Sequence, residues 1–228
     1  MAEGVLDDSA TGLRDRKKAR RRDEIIAVAR DLFARNGIDA TTINDIAQAC
    51  DISAPTVFNY FGSKDGILIA IIDEGTRNAR AGEFSRRSRD GMPLPDVAEA
   101  LFSRIAAQTL AIAGKRVWRY AESSAIRHPN AELSQTYREV TEALIGAIAS
   151  VFDEYSLTTR AGKPASSAQL AEMLHDLWLP CFIRLITEDA MTLTDHDALV
   201  RARVLPLLDL ALEDASLHSP RRKTGNPQ

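Results

Sequence analysis

Apolar residues downstream of a charged N-terminus recur at the spacing of an α-helix. They occupy positions i, i+3, i+4 and i+7 of one face: Ile25, Val28, Ala29 and Leu32. Gly37 follows this run, and glycine commonly stands just past a helix C-terminus because it adopts a left-handed backbone readily. The pattern predicts a helix that ends at Gly37 and follows a polar tail, residues 1–13, which is expected to be disordered.

Two short helices are predicted next. Thr42 is a typical N-cap, and Asp45 three residues later completes a capping-box pattern. The buried face of this second helix would consist of Ile43, Ile46, Ala47 and Cys50. A third helix is predicted over residues 53–61, where Gly62 ends it and Ser63 caps a fourth helix.

Helical patterns continue beyond a segment of breaker residues and charge at 86–95, which is predicted to be a linker or turn. Apolar faces predict helices at residues 94–113, 115–127, 130–155, 167–188 and 195–215. No strand-like alternation of useful length occurs. The sequence therefore predicts an all-α protein with a three-helix helix-turn-helix domain before a larger helical domain. The predicted boundaries are a tail at 1–13, the first domain at 14–83, the second at 84–216 and a disordered tail at 217–228.

Residues 46–60 fit a helix-turn-helix, in which two short helices cross at a steep angle. Ala47 supplies the small side chain required where the helices touch. Four residues later the chain must turn through a left-handed residue, and Asp51 is among the few non-glycine residues that adopt this conformation. The flanking apolar positions are Ile46, Cys50, Ile52, Val57 and Tyr60. The alternative interpretation is two ordinary core helices of an all-α protein.

The second helix of this motif is the third predicted helix of the chain, residues 53–61. Its remaining side chains would face outward, where the major groove of a duplex can accept them. They are Ser53, Ala54, Pro55, Thr56, Phe58 and Asn59. The charge distribution favours a polyanionic partner, because the net charge is −3 while residues 14–22 hold seven basic side chains and one acidic one. A solvated basic tail is the alternative interpretation of this run.

The run TTINDIAQACDISAPTVFNYFGSKDGIL, residues 41–68, closely resembles the signature of the TetR family of regulators. Shared features are the threonine-rich start, the Ile-Ala pair, the apolar-Ser turn, the aromatic end of the second helix and the Ser-Lys-Asp start of the next. Two positions depart from the pattern, since Asp51 replaces the usual glycine and Tyr60 stands where histidine is common. The resemblance covers roughly residues 20–75, and the remainder is similar only in helical layout.

The resemblance implies that the protein binds double-stranded operator DNA. Thr42 and the amides at its helix N-terminus would hold a phosphate. The residues that would position the protein on the phosphate backbone are Phe58, Tyr60 and Lys64. The candidates for reading bases are Asn44, Ala54, Pro55, Thr56 and Asn59.

Residues 52–63 contain no charged side chain, so the recognition helix lacks the bidentate arginine–guanine contact. Base reading would depend on contacts with thymine methyl groups and on an Asn59–adenine pair. We therefore expect the strongest base preferences at A·T pairs. Affinity would then depend on phosphate contacts and on residues 14–22, an arm that could enter an adjacent minor groove.

The last two predicted long helices are apolar on more than one face, which exceeds the stripe that a single core contact needs. On the first, these residues are Leu170, Met173, Leu174, Leu177, Trp178, Cys181, Phe182, Leu185 and Ile186. On the second, they are Leu199, Val200, Val204, Leu205, Leu207, Leu208, Leu210 and Leu212. The surplus predicts a partner subunit, and the resemblance implies a homodimer through these helices. A helix wholly buried within one subunit is the alternative.

A ligand cavity is the second expectation for the larger domain, because aromatic rings with polar tips suit a mostly apolar pocket. The candidate residues are Phe102, Trp118, Tyr120, Tyr137, His175 and Trp178. Ordinary core packing is the alternative for each of them. The resemblance implies a small-molecule effector, expected to be apolar or amphipathic, that releases a repressor from a palindromic operator.

Other chemistry finds no support in the sequence. Cys50 and Cys181 lie far apart without metal-ligand spacing, which favours a reducing cytoplasm. No cofactor, metal or catalytic motif occurs, and residues 194–197 are explained as a helix cap formed by Thr194. No membrane span or signal peptide is expected. Two other classes stay open: a helical enzyme whose first helices mimic the motif, and a structural DNA-binding protein without a ligand.

Overall fold

The computed structural model describes residues 8–81, 89 and 91–223. Helices account for most of these residues, and the two short strands pair with each other. The elements in chain order are α1 (Asp8–Asn36), α2 (Ile43–Ala49), α3 (Ala54–Phe61), α4 (Lys64–Ala81), α5 (Leu94–Arg127), α6 (Glu132–Asp153), β1 (Tyr155–Ser156), α7 (Ser167–Thr187), α8 (Leu193–Arg203), α9 (Pro206–Ala211), α10 (Asp214–His218) and β2 (Arg221–Arg222). The predicted all-α class, with a helix-turn-helix before a larger helical region, is confirmed.

Two compact units divide the chain. The N-terminal unit ends at Glu74 and the C-terminal unit begins at Gly75, so the division falls within α4. The predicted domain boundary between residues 83 and 84 lies outside the described residues, as does most of the predicted linker. The tail segments 1–7 and 224–228 lie outside them as well.

The core of the N-terminal unit consists of apolar side chains that the predicted helical faces supply. Its buried members include Ile25, Ile26, Ala29, Phe33, Ile46, Ala47, Val57, Ile67, Leu68, Ile71 and Ile72. Gly37 ends α1 in the left-handed region, at φ 87°, and its amide donates to the Phe33 carbonyl at 2.9 Å. Burial of each large side chain contributes about 1.5–3 kcal/mol, so this small unit depends on every one of these positions.

The start of α1 corrects one expectation. The helix begins at Asp8, so residues 8–13 are helical rather than a disordered tail. Residues 14–22 are rich in arginine and lysine, which are good helix formers, and a helix established there can extend into the weaker helix formers of residues 8–13 because each added residue gains one hydrogen bond. Arg16 Nε also donates to the Gly12 carbonyl at 3.0 Å, one turn earlier.

The C-terminal unit is built from α5 to α8, which pack against one another. Gly114 interrupts α5 with a non-helical backbone, at φ 69° and ψ 169°. Across this interruption Trp118 Nε1 donates to the Thr109 carbonyl at 2.6 Å. Lys115 Nζ donates to three carbonyls just beyond the end of α7, those of Glu188, Asp189 and Met191 at 2.9, 3.2 and 2.6 Å.

The predicted long helix at 195–215 is wrong in its continuity. It is divided into α8, α9 and α10, because Pro206 has no amide hydrogen to continue α8 and instead occupies the first turn of α9. Its predicted cap is also displaced, since Thr192 rather than Thr194 is the N-cap and pairs with Asp195 in a capping box. Pro180, by contrast, lies within α7 without ending it.

The C-terminal segment corrects a further expectation. Residues 217–223, predicted as part of a disordered tail, continue from α10 into β2, which pairs antiparallel with β1 through Tyr155 and Arg222. Lys223 Nζ lies 2.7 Å from the Asp153 carboxylate. Short pairings of this kind carry too few residues to give an alternating sequence pattern.

Each unit holds one of the chain's two cysteines as a buried free thiol. Cys50 follows α2 in the N-terminal unit, and Cys181 lies in α7. Burial raises the pKa of both thiols above the usual range, and nearby arginines oppose that rise only in part. Both therefore stay protonated near neutral pH and are poor nucleophiles.

Candidate nucleic-acid interface and ligand cavity

Helix α2 begins with a complete capping box. The Asp45 amide donates to Thr42 Oγ1 at 3.1 Å, and the Thr42 amide donates to Asp45 Oδ2 at 2.8 Å. These hydrogen bonds hold the pKa of Asp45 below its usual range, the one from the Thr42 backbone most strongly. The Thr42 hydroxyl acts as an acceptor here, so its hydrogen is left to donate outward. Asn44 is exposed in the first turn.

The turn after α2 has the left-handed residue that the sequence predicts. Asp51 adopts φ 53°, and no other non-glycine residue in the described ranges has a positive φ. The Asp51 amide donates to the Gln48 carbonyl at 3.2 Å, and the Ile52 amide donates to the Ala47 carbonyl at 3.0 Å. This pair of bonds is the Schellman motif, which ends α2 and fixes the direction of the chain into α3.

Helix α3 buries one side chain and presents the others. Val57 is fully buried, while Ser53, Pro55, Phe58 and Asn59 are exposed. The half-buried predicted residues are Ala54, Thr56 and Tyr60. Ser53 is the N-cap and accepts from the Thr56 amide at 3.4 Å, and the two hydroxyl oxygens lie 2.8 Å apart. Neither Thr56 nor Asn59 is enclosed by the chain.

Helix α4 starts against the end of α3. Ser63 Oγ accepts from the Gly66 amide at 3.0 Å, which confirms the predicted cap. The absence of a side chain at Gly66 permits this approach, since a Cβ there would lie 2.0 Å from the Phe61 carbonyl oxygen. Lys64, predicted to contact phosphate, donates from Nζ to the Ile38 carbonyl at 2.8 Å. One of its three ammonium hydrogens is thus used within the unit.

The basic run at residues 14–22 is helical, which corrects the prediction of an arm that enters a minor groove. A helix is about 10–12 Å across and a minor groove about 6 Å wide, so this segment does not fit there. Its exposed basic residues are Arg14, Arg16, Lys17, Lys18 and Arg20. The Arg22 guanidinium lies 5.6 Å from the centre of the Phe61 ring, and Arg21 pairs with Glu24 at 2.8 Å.

A mostly apolar cavity of about 110 Å³ lies within the C-terminal unit. Its lining residues come from α4 to α7 and are Thr76, Ile105, Gln108, Thr109, Ile112, Trp118, Tyr137, Val140, Thr141, Ala143, Leu144, Ala147, His175, Trp178, Leu179 and Phe182. Four of the six predicted ligand residues line it: Trp118, Tyr137, His175 and Trp178. Phe102 does not, because it is fully buried behind Trp178 with the ring centres 5.9 Å apart. Tyr120 also lies outside the lining.

Polar groups gather at one side of the cavity. Burial, together with the neighbouring Glu122 carboxylate, raises the pKa of the Tyr137 hydroxyl well above its usual range. Burial lowers the pKa of His175, so its ring is neutral near pH 7. Within the described part of the chain, the buried Glu122 Oε2 and His175 Nδ1 have no hydrogen-bond partner. The nearest carboxylate oxygen to that nitrogen, on Asp176, is 3.7 Å away.

Both tryptophans of the cavity have their indole N–H groups satisfied by the protein. Trp118 donates to Thr109 as described, and Trp178 Nε1 donates to Nε2 of the fully buried His196 at 3.1 Å. His196 must therefore carry its proton on Nδ1, which faces Asp197 Oδ1 at 3.3 Å, while Ser103 Oγ donates to Asp197 Oδ2 at 2.9 Å. The tryptophans accordingly present apolar faces to the cavity.

Sequence reasoning missed Glu122 and His196. Glu122 reads as an ordinary charged position of a helix, and His196 lies in a polar stretch that resembles a cap. The available signal for His196 was its place among acidic residues at the start of a predicted helix whose other positions are mostly apolar. Among the described residues no cluster of histidine, cysteine and acidic side chains fits a metal ion. None of the helices described combines the length and apolar character that a membrane span requires.

Comparison with known proteins places the N-terminal unit. Residues 25–71 match the family model described as bacterial regulatory proteins, tetR family. The HTH-type transcriptional regulator TcmR of Streptomyces glaucescens is 41% identical over 66 residues, which are 28% of this chain and 29% of that protein. The HTH-type transcriptional repressor KstR2 of Rhodococcus jostii is 32% identical over 84 residues, 37% of this chain and 41% of that protein. The chain thus spans less than half the length of these two relatives.

Solved structures extend the likeness in fold to most of the chain. Salmonella enterica GusR has a TM-score of 0.60 at 18% identity and covers 84% of this chain and 95% of its own. Bacillus subtilis FadR in complex with stearoyl-CoA has a TM-score of 0.57 at 19% identity, with coverages of 81% and 96%. A putative regulator from Saccharomonospora viridis in complex with choline has 0.59 at 18% identity, with coverages of 86% and 99%. Residues 25–71 thus match the TetR family of bacterial regulatory proteins, on a fold that these solved structures share over most of the chain.

Proposed function

We propose that the chain is a cytoplasmic, dimeric transcriptional repressor that binds a palindromic operator and is released by a small-molecule effector. The observation that carries this proposal is α3, whose exposed Phe58 and Asn59 stand on a helix oriented by the Asp51 turn. The names of the similar proteins support it, because TcmR is called a transcriptional regulator and KstR2 a transcriptional repressor. The complexes with stearoyl-CoA and choline support an effector.

Base reading is assigned to α3 and the start of α2. Asn59 would pair with adenine through its amide, while Ala54, Pro55 and Thr56 would contact thymine methyl groups. Asn44 would reach a base from α2. Because residues 52–63 contain no charged side chain, the strongest preferences are expected at A·T pairs.

Phosphate contacts would hold the protein in register on the duplex. We assign them to the Thr42 hydroxyl, the Tyr60 phenol, the free hydrogens of Lys64 and the ring of Phe58, with Ser53 at the start of α3. The exposed basic residues of α1 would add contacts along the outside of the duplex, since this helix is too wide for the minor groove. Such contacts make affinity depend steeply on salt.

Dimerisation is assigned to α7 together with α8. Most of the apolar residues that lie on more than one face of α7 are buried within the subunit. Two of them, Met173 and Leu177, are one turn apart and remain exposed, at 50% and 40% respectively. A continuous apolar strip on an exposed helix face is typical of a subunit contact. Leu177→Glu should convert a dimer to monomers in sedimentation equilibrium. The matched control is Ile126→Glu at the end of α5, where the side chain is 75% exposed, and it should leave the dimer unchanged.

Selection of bound duplexes from a random pool tests the DNA-binding proposal most directly. The expected product is an inverted repeat with half-sites about one helical turn apart, since a two-fold dimer reads two equivalent sites. Enrichment of no sequence, or of one half-site only, would contradict the proposal. An effector should then lower affinity for the selected operator without dissociating the dimer, and dissociation would contradict the proposed release.

A further inference from the structure

The cavity of the C-terminal unit has the dimensions of a small molecule. Its volume is about 110 Å³, somewhat less than the roughly 150 Å³ of an engineered apolar cavity that binds benzene. Pockets for drug-sized ligands are several times larger, roughly 300–1,000 Å³. A ligand of about six to eight non-hydrogen atoms therefore fills the space.

The walls select against charge. Every lining residue is neutral at pH 7, and no lysine or arginine is among those that the structure describes around the cavity. The carboxylates identified near the lining are Glu122, which acts on Tyr137 and His175, and Asp176, 3.7 Å from His175 Nδ1. A carboxylate ligand would lose its hydration without a positive partner and would also be repelled by Glu122.

The polar side of the cavity holds groups that can bond a ligand. The Tyr137 hydroxyl lines the cavity beside the Glu122 carboxylate, and its phenol oxygen can accept a hydrogen bond. Glu122 Oε2 is buried and unpaired, and the neutral His175 has an unpaired buried nitrogen although the residue is only 4% exposed. Both tryptophan N–H groups are already bonded within the protein. Buried polar groups without partners cost free energy that a hydrogen-bonding group of a ligand removes.

We infer that the cavity takes a small neutral molecule with an apolar, ring-sized body and one hydroxyl or amine group, of which phenol is the simplest example. Its body would lie against Trp118, Trp178 and Phe182, and its hydroxyl or amine group would pair with the lining side chains of Tyr137 and His175. This inference rests on the proposed ligand-responsive function and names the class of molecule that the same cavity takes.

Titration with phenol tests the inference, because the chain's two tryptophans both line the cavity and report its occupancy by fluorescence. Saturable quenching by phenol, absent with N-acetyltryptophanamide and confirmed by calorimetry, is expected. Toluene should bind more weakly, and benzoate and tetramethylammonium should not bind. Stronger binding of benzoate or of tetramethylammonium than of phenol would overturn the inference.

Two kinds of variant locate the binding. Tyr137→Phe should weaken phenol about five- to tenfold and leave toluene within about twofold, as expected for the loss of one hydrogen bond. Ala147→Leu, which adds bulk to the lining, should abolish binding of both, with Ala143→Leu as a second filling variant if the first unfolds. Phenol binding that persists in a folded filling variant would place it elsewhere and overturn the inference.

The result can be separated from that of the proposed function, because probe binding is measured without DNA. Phenol binding with unchanged operator affinity would support the inference and contradict effector release. Operator release by a larger or charged ligand, with no binding of phenol, would overturn the inference and leave the proposed function standing.

Discussion

The two units stabilise their functional residues in different ways. In the N-terminal unit most of the bonds at the candidate interface join residues three apart: Thr42 with Asp45, Ser53 with Thr56, and Ser63 with Gly66. The bond from Lys64 to Ile38, 26 apart, is the exception. In the C-terminal unit the bonds around the cavity join distant residues: Trp178 with His196, 18 apart; Lys115 with Glu188, 73 apart; and Ser103 with Asp197, 94 apart. A short-range interface can be preserved by one segment of sequence. A cavity, in contrast, changes with any of the helices that line it.

The largest loss of stability is expected from a substitution at one local contact of the N-terminal unit. Gly66→Ala places a methyl group 2.0 Å from the Phe61 carbonyl oxygen, so α3 and α4 must separate. We expect a loss of about 3 kcal/mol in stability, the upper end for overpacking, together with loss of operator binding. Thermal unfolding by circular dichroism and a DNA-binding assay would measure it. A variant as stable as the parent would show that the two helices meet differently.

Asn59→Ala differs from Gly66→Ala, because it should change the base specificity of DNA binding without changing the fold. The substitution removes the amide proposed to pair with adenine, and discrimination at one base pair of the operator should fall by about 1–3 kcal/mol. Competition binding with single-base operator variants is the measurement. Asn36→Ala, which removes the same group at the end of α1, is the control. Equal weakening on every sequence would contradict a base-reading role for Asn59.

Mild acid, from pH 7 to pH 5.5, should destabilise only the C-terminal unit. All four histidines of the chain lie there, at positions 128, 175, 196 and 218. Burial lowers the folded-state pKa of His175 and His196, so the unfolded state binds more protons as pH falls below about 6.5, and stability is lost.

The loss is at most about 1.4 kcal/mol per histidine for each pH unit below that value. Denaturant unfolding followed by tryptophan fluorescence, which reports this unit alone, should show it between pH 7 and pH 5.5. Hydrogen exchange of residues 25–72 should change little over the same range. A fluorescence midpoint independent of pH would mean that neither ring is held neutral.

Gly146→Ala should have the smallest effect, in the opposite direction. This glycine lies inside α6, where an added Cβ meets nothing within 4 Å. Alanine should therefore stabilise the C-terminal unit by about 0.5–1 kcal/mol, because the unfolded chain loses freedom. The change in the denaturation midpoint measures it, and destabilisation would indicate that this face of α6 is covered. Together with Gly66→Ala, this variant would show that replacing glycine by alanine changes stability in opposite directions in the two units.

The sequence predicts the N-terminal unit well because its signals are local. Thr42 and Asp45 form a capping box that three residues suffice to specify, and Asp51 occupies a turn that few side chains tolerate. Gly62 and Ser63 mark the end of α3 and the cap of α4 for the same reason. Exposure of α3 follows once Val57 is identified as the buried position.

The C-terminal unit is predicted less completely, because its details depend on tertiary neighbours. Phe102 and Tyr120 have the same chemistry as the lining aromatics, and only packing excludes them from the cavity. Pro180 is accommodated within α7, whereas Pro206 separates α8 from α9. A sequence pattern shows that both prolines strain a helix but does not show which one breaks it.

The two buried cysteines allow the opening rate of each unit to be measured separately. Their thiols are protonated and shielded, so a thiol reagent can modify Cys50 only when the N-terminal unit opens and Cys181 only when the C-terminal unit opens. Mass spectrometry of the labelled peptides would then give two opening rates from one sample of unaltered protein. An effector that occupies the cavity should slow modification of Cys181 first, since that thiol lies on α7 between Trp178 and Phe182.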